Sequence, residues 1–307
     1  MKRRAFLKSA AAVAALSPLR ALAQGARTRL VLLGTGGGPR VTAKGRAKPA
    51  TLIVANGVPY VIDCGDGVAL QLARAGVAPD ALRYVFITHH HSDHNLDYGN
   101  LIYDAWVAGL RKPVDAYGPP PLAEITEAWF RLNRFDIETR IADEGRVDLR
   151  KLVTAHEFSK DGEVMKTDDV RVTAARVRHP PITQAYAYRF DCPDRAIVIS
   201  GDTTYSPELA ALAKGADVLV SEVMYLPGIE RLLRIIPNAA TLREHLLASH
   251  IVPEDLGRLA AQAGVKTLVL SHLVPGDDPS ITDEMWTEGV RKHFSGTVVV
   301  GRDLLEV

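Results

Sequence analysis

Cysteine is nearly absent from this 307-residue chain. There are two, Cys64 and Cys192, too few for the disulfide framework that holds small secreted domains together. Cys64 ends an apolar run in V-I-D-C-G-D-G and is expected as a buried free thiol, with Cys192 a second one. An excess of one charge is missing too: 37 Lys and Arg stand against 36 Asp and Glu, so there is no global basic footprint of the kind that grips nucleic acid. Beyond the first 23 residues no segment reads as a membrane span, and no tandem repeat or low-complexity linker interrupts the chain. A nucleotide-binding loop is also absent. Leu33-Gly34-Thr35-Gly36-Gly37-Gly38-Pro39 follows a strand-like run, but Pro39 stands where G-x-G-x-x-G needs glycine, and no G-K-[ST] follows. That segment reads as a turn, either beside an active site or purely structural.

What is present begins with a leader. Lys2, Arg3 and Arg4 precede Ala5-Phe6-Leu7-Lys8, a short Ala/Val/Leu stretch and Ala21-Leu22-Ala23, which together read as an export signal cleaved after Ala23. Its K-R-R-A-F-L-K order resembles the twin-arginine leader, which implies export of an already folded protein to the periplasm. Residues 1–23 are thus expected to be removed, leaving 24–307 as one domain. Their removal takes away five basic side chains and no acidic one, so the formal charge falls from +1 to −4.

Short β-branched runs predict strands in two series: 29–33, 51–55, 60–63 and 84–88, then 170–177, 185–190, 196–200, 218–221, 267–271 and 297–301. Helical periodicity predicts helices over 66–75, 97–109, 119–132, 206–213, 241–248, 253–263 and 282–293. The composite is sheets with helices packed outside, and residues 133–169 are expected to be irregular.

Four of the ten histidines crowd into I-T-H-H-H-S-D-H, directly after the apolar run Val85-Phe86-Ile87-Thr88. A strand end therefore delivers His89, His91, Asp93 and His94 into a loop. Alternation lets residues 89 and 91 project together, while Asp93 and His94 come round after the turn, so two metal subsites are expected. Neutral imidazole with carboxylate suits zinc. His90 is expected to point away.

H-x-H-x-D-H resembles the signature of the metallo-β-lactamase superfamily. Leu33-Gly34-Thr35-Gly36, Asp63-Cys64-Gly65-Asp66-Gly67, Tyr117-Gly118-Pro119-Pro120, Ser200-Gly201-Asp202-Thr203 and Leu270-Ser271-His272 are similar to its ribonuclease Z and arylsulfatase-like branch. The resemblance implies an α/β fold, a four-layer αββα sandwich with metals at one sheet edge. It implies His89, His91 and His179 at a first metal, Asp93, His94 and His272 at a second, and Asp202 bridging two Zn2+ per chain, with Mn2+ or Fe2+ as substitutes. It further implies hydrolysis by a hydroxide held between the ions, with Asp93 in a catalytic role. Glu222 and His250 match positions that orient and protonate the leaving group, and paired subunits are a family expectation.

The substrate expected is a small-molecule anionic ester, an aryl sulfate or phosphate ester, with a ribonuclease Z-like transfer-RNA endonuclease as the alternative. Lactone or β-lactam hydrolysis and a non-catalytic metal-binding protein are further readings. That endonuclease family commonly carries a basic glycine-rich arm, whereas residues 136–170 hold ten acidic and six basic side chains. Ser92 also stands where ribonuclease Z usually has glycine. Trp106, Trp129, Phe130 and Tyr225 are candidates for apolar pocket walls or for core. His245, His156 and His293 are expected to be structural or surface residues.

Overall fold

The structure is a computed structural model that describes residues 28–43, 45–236 and 239–307. The expected leader, residues 1–23, lies outside the described residues. Two seven-stranded sheets lie face to face. The first runs β14 (Leu305–Glu306), β1 (Arg29–Gly34), β2 (Ala50–Ala55), β3 (Val58–Ile62), β4 (Tyr84–Phe86), β5 (Val114–Gly118), β6 (Val153–Glu157). The second runs β13 (Thr297–Val300), β12 (Thr267–Val274), β11 (Val218–Met224), β10 (Ala196–Ile199), β9 (Tyr186–Asp191), β8 (Arg171–Arg176), β7 (Gly162–Lys166). In each sheet a parallel group, β3 to β6 or β10 to β13, adjoins an antiparallel one.

The helices are α1 (Val68–Arg74), α2 (Ser92–Asn95), α3 (Tyr98–Val107), α4 (Leu122–Leu132), α5 (Arg134–Glu144), α6 (Pro207–Leu212), α7 (Leu226–Leu232), α8 (Leu242–Ser249), α9 (Pro253–Ala263) and α10 (Asp283–Arg291). Along β1, Leu30 and Leu32 enter the layer between the sheets, while Val31 and Leu33 pack beneath α1 and α3. A strand covered on both faces must be apolar at every position, which is why these runs read as continuous rather than alternating. Between the sheets Phe86 meets Phe190 edge-on at 5.1 Å, and the Tyr188 hydroxyl donates to the Ile87 carbonyl at 2.7 Å. That bond ties the second sheet to the segment that leads into the histidine loop. Outside the second sheet, Leu209 of α6, Leu256 and Leu259 of α9, and Trp286 of α10 close the fourth layer. The architecture is the αββα sandwich, and no helix among the described residues is long and apolar enough to cross a membrane.

The expectation of irregular chain over 133–169 is corrected: α5, β6 and β7 occupy much of it. Each escaped notice for a physical reason. β6 and β7 are the edge strands of their sheets, half exposed and therefore mixed in composition. In α5 only Ile137 is fully buried, so its apolar stripe is one residue wide. Trp106 and Phe130 lie in the core under the first sheet with Trp129 against them, and Tyr225 packs on Trp286, so all four are packing residues and none lines the cleft beside the histidine loop. Both cysteines are free, but Cys192 is only half-buried.

Candidate metal centre

The carboxyl ends of the parallel strands open on one edge of the sandwich, where side chains from different loops can meet. β4 stops at Phe86, and the chain passes through buried Thr88 and His89 to His91, which precedes the single turn α2. Asp93 and His94 lie buried on that turn. From the second sheet come His179, three residues past β8, Asp202, just past β10, and His272, within β12. The pairing of β11 with β12 slips between Ser221/Leu270 and Val223/Leu273, so Ser271 and His272 together face Glu222. This bulge, with His272 at φ 40°, re-aims the imidazole toward the cleft.

The donors form two groups. In the first, His91 Nδ1 lies 3.0 Å from both His89 Nε2 and His179 Nε2, and Asp202 Oδ2 is 3.9 Å from His89 Nε2. In the second, His272 Nε2 is 3.3 Å from Asp93 Oδ2, and His94 Nε2 is 3.6 Å from the same oxygen. The other Asp202 oxygen, Oδ1, lies 3.2 Å from His94 Nε2 and 3.1 Å from His272 Nε2, so this one carboxylate faces both groups. All seven residues expected at the metals are thus brought together. His90 points elsewhere, with its ring nitrogens on the Pro119 carbonyl and Asn95.

Outer bonds fix the rings. His94 Nδ1 contacts Asp63 Oδ2 at 2.8 Å, His179 Nδ1 reaches the Ser249 carbonyl at 2.9 Å, and His89 Nδ1 lies 3.1 Å from the Thr88 hydroxyl. Asp63 in turn accepts from the Thr88 backbone N–H at 2.8 Å. Such partners set the tautomer, so the second nitrogen of each ring presents its lone pair inward. The glycine run after β1 also serves the site. Gly38, at φ 76°, donates its N–H to Asp93 Oδ2 at 2.9 Å, and a Cβ on Gly37 would fall 2.6 Å from His272 Nδ1.

Burial pushes His89 well below the usual imidazole range, and it brings His179 down to about 4. Both rings are neutral and free to donate lone pairs. Burial also works against charge on Asp202, yet His272 and His94 hold its carboxyl well below the ordinary value. His94 is the counterpart: burial opposes its protonation, but Asp202, Asp63 and Asp93 together hold it well above the usual value. Positive charge is strongly favoured at the point these carboxylates surround.

Beside the donors, Glu222 and His250 form a buried pair, His250 Nδ1 to Glu222 Oε2 at 2.8 Å. Glu222 Oε1 accepts from the Thr203 backbone N–H at 2.6 Å. Burial opposes a proton on His250, but the adjacent carboxylate outweighs it and the pKa is pushed up to about 9. His245, expected to be structural or on the surface, instead lines the cleft, its ring 6.1 Å from His91. His156 stacks on Tyr117 and His293 sits near Glu254, both away from the cleft.

The residues fit divalent metal. Four-coordinate zinc with nitrogen at about 2.0 to 2.1 Å sets donor–donor edges of about 3.3 Å, close to the spacings in both groups. Among the described residues, His94 Nε2 and Asp202 Oδ1 are buried polar atoms without a hydrogen-bond partner, a costly state unless a cation lies between them. Asp63 and the Ser249 carbonyl were not singled out in the sequence. The D-C-G-D-G turn at a strand end was the available signal for Asp63.

The family profile described as "Beta-lactamase superfamily domain" matches residues 60–273. The chain is 32% identical over 281 residues to Ribonuclease Z of Mycobacterium bovis (strain BCG / Pasteur 1173P2), covering 91% of this chain and 97% of that protein. Among solved structures it is similar to the metallo-beta-lactamase fold protein YhfI from Bacillus subtilis, with TM-score 0.67, 20% identity, and coverage of 91% of this chain and 98% of that one. It is also similar to the short form of human tRNase Z, with TM-score 0.66, 18% identity, and coverage of 91% and 98%.

Proposed function

The chain belongs to the metallo-β-lactamase superfamily, among relatives curated as ribonuclease Z, and on that premise we propose that this metallo-hydrolase cuts phosphodiester bonds. His89, His91 and His179 would hold one divalent ion, Asp93, His94 and His272 a second, and Asp202 would serve both. Zinc matches these imidazole and carboxylate donors, and manganese or iron could replace it. Bound there, the ions supply Lewis acidity that makes water nucleophilic near neutral pH and offsets negative charge at the attacked phosphorus.

The observation that carries the proposal is the buried Glu222–His250 pair, which opens on the donors. An ester of phosphorus needs a proton for its departing oxygen, and general acids are most useful when that oxygen is a poor leaving group. Glu222 fixes His250 through Nδ1, so the opposite ring nitrogen is left to face the cleft. As water adds to phosphorus and the P–O bond breaks, His250 passes its proton to the leaving oxygen and is reprotonated from solvent.

Within this class, the names of the curated relatives favour RNA as substrate. A small anionic ester, aryl phosphate or sulfate, is a second reading, favoured by the segment where an RNA-gripping arm would lie. There Arg140 pairs with Asp136 and Glu144, Arg146 with Glu144, and Arg150 with Asp148 and Glu138, which leaves these cations neutralised. The twin-arginine-like leader supports the same reading, since a periplasmic enzyme would not meet transfer-RNA precursors. The test is a metal-reconstituted protein assayed on bis(p-nitrophenyl) phosphate, p-nitrophenyl sulfate and a precursor transfer RNA with a 3′ trailer, with Asp202→Asn as control. Diester cleavage abolished in the variant supports the proposal. Sulfate cleavage alone, or no turnover, overturns it.

A further inference from the structure

A second cavity of about 220 Å3 adjoins the cleft and is not used by the chemistry described above. Five residues line both spaces, Gly38, Pro39, Leu242, Leu246 and Val274, so the two lie side by side. The far wall of the second cavity is formed by Leu232 at the end of α7, Ile236 beyond it, and Pro275. Among the described residues no aromatic ring lines it. An apolar concavity that opens beside a set of charged donors is the usual form of a specificity pocket: the polar centre fixes the reacting group, and the apolar walls select what is attached.

The surrounding cations are already engaged. Arg40 pairs with Asp277 at 2.9 Å, Arg46 donates to the Gly301 carbonyl at 2.8 Å, and the Lys48 ammonium donates to the Arg40 carbonyl. Arg46 and Lys48 are held by neutral oxygens and keep their charge, so it is the lack of aromatic rings among the described lining residues that leaves a strand of RNA without the platforms on which exposed bases stack. Leu246 and Val274 belong to a small cluster of their own with Met224 and Ile229, against which Leu232 and Leu242 pack. α7 and α8 are therefore held by a local core, with apolar side chains lining the second cavity.

We infer that this cavity binds an apolar alkyl or aryl substituent of the scissile ester, which favours the second reading given above, with an amphiphilic phosphodiester as substrate, over RNA. The inference rests on the phosphodiesterase reading for the reaction, but the pocket can be examined without turnover.

Two measurements on the zinc-loaded full chain test it. In the first, p-nitrophenyl alkyl phosphates from methyl to hexyl share one leaving group, so any trend reports the alkyl chain alone. Burial of each methylene predicts a rise in kcat/KM of roughly fourfold, and thymidine 5′-(p-nitrophenyl phosphate) should do no better than the methyl ester. In the second, calorimetric binding of methyl- to hexylphosphonic acid reads the same pocket as a Kd. Ile236→Asn and Leu232→Asn should cut the hexyl-to-methyl ratio at least tenfold in both series, and Ile236→Trp, which fills the cavity rather than opening it, should do the same. A flat phosphonate series, or a preference for the nucleoside ester, overturns the inference. A rising phosphonate series with no diester turnover upholds the pocket and overturns the phosphodiesterase reading instead.

Discussion

His94 Nδ1 lies 2.8 Å from Asp63 Oδ2, so a residue in the turn after β3 orients a ring donor on α2. Removing such an outer partner typically lowers metal affinity ten- to a hundredfold without unfolding the site. Asp63→Asn should therefore retain the fold by circular dichroism yet lose zinc to a competing chelator at 10 to 100 times lower chelator concentration. Unchanged zinc retention would show that His94 needs no such support.

Gly37 leaves no room for a side chain beneath His272. A Cβ there would lie 2.6 Å from the ring and 2.5 Å from Val274 Cγ2, so Gly37→Ala must push one of them aside. Overpacking of this kind costs about 1–3 kcal/mol. The expected result is a modest fall in Tm together with loss of one zinc per chain by elemental analysis. Full zinc content in the variant would mean that the glycine run is only a turn.

If His250 protonates the leaving oxygen, its loss should matter most when that oxygen is a poor leaving group. His250→Ala and Glu222→Gln should each lower kcat about 10²- to 10⁴-fold on alkyl leaving groups and far less on p-nitrophenolate. Equal losses on both would assign the pair a structural role.

Phe130 and Trp106 lie in the core beneath the first sheet. Phe130→Ala should destabilise the protein by about 3–5 kcal/mol in denaturant titration and leave KM unchanged. A raised KM with little change in stability would instead make Phe130 a pocket wall.

Burial raises the Cys64 thiol well above its ordinary value and pushes Cys192 up to about 12. Only the thiolate is nucleophilic, so at pH 8 both should react slowly with a thiol reagent and quickly once the chain is unfolded. Two thiols per chain in denaturant without reductant would also establish that the cysteines do not pair.

The parts of this fold legible in the sequence are those where both faces of a strand are covered, because continuous apolar runs such as 30–33 and 196–199 have no other use. The H-x-H-x-D-H cluster is legible because ligand chemistry, unlike packing, permits few substitutes. Edge strands β6 and β7 send no such signal, since half of each faces water. Asp63 is 31 residues from the ring it orients, and its D-C-G-D-G turn marks a strand end without saying which side chain it serves. His245 shows the opposite limit: a histidine on an ordinary amphipathic helix looks like a surface residue until α8 is placed across the cleft. The apolar cavity is equally invisible, because its walls come from α7, α8 and the loops after β1 and β12, none of which alone differs from core.

Neither group of donors is complete within one half of the molecule: each takes two from the loop after β4 and borrows the remainder from the opposite layer. The cations would thus rivet two separately woven fabrics along a shared seam. A slip of the halves by one side chain would unfasten both rivets at once, whereas lengthening a distant surface loop would disturb neither.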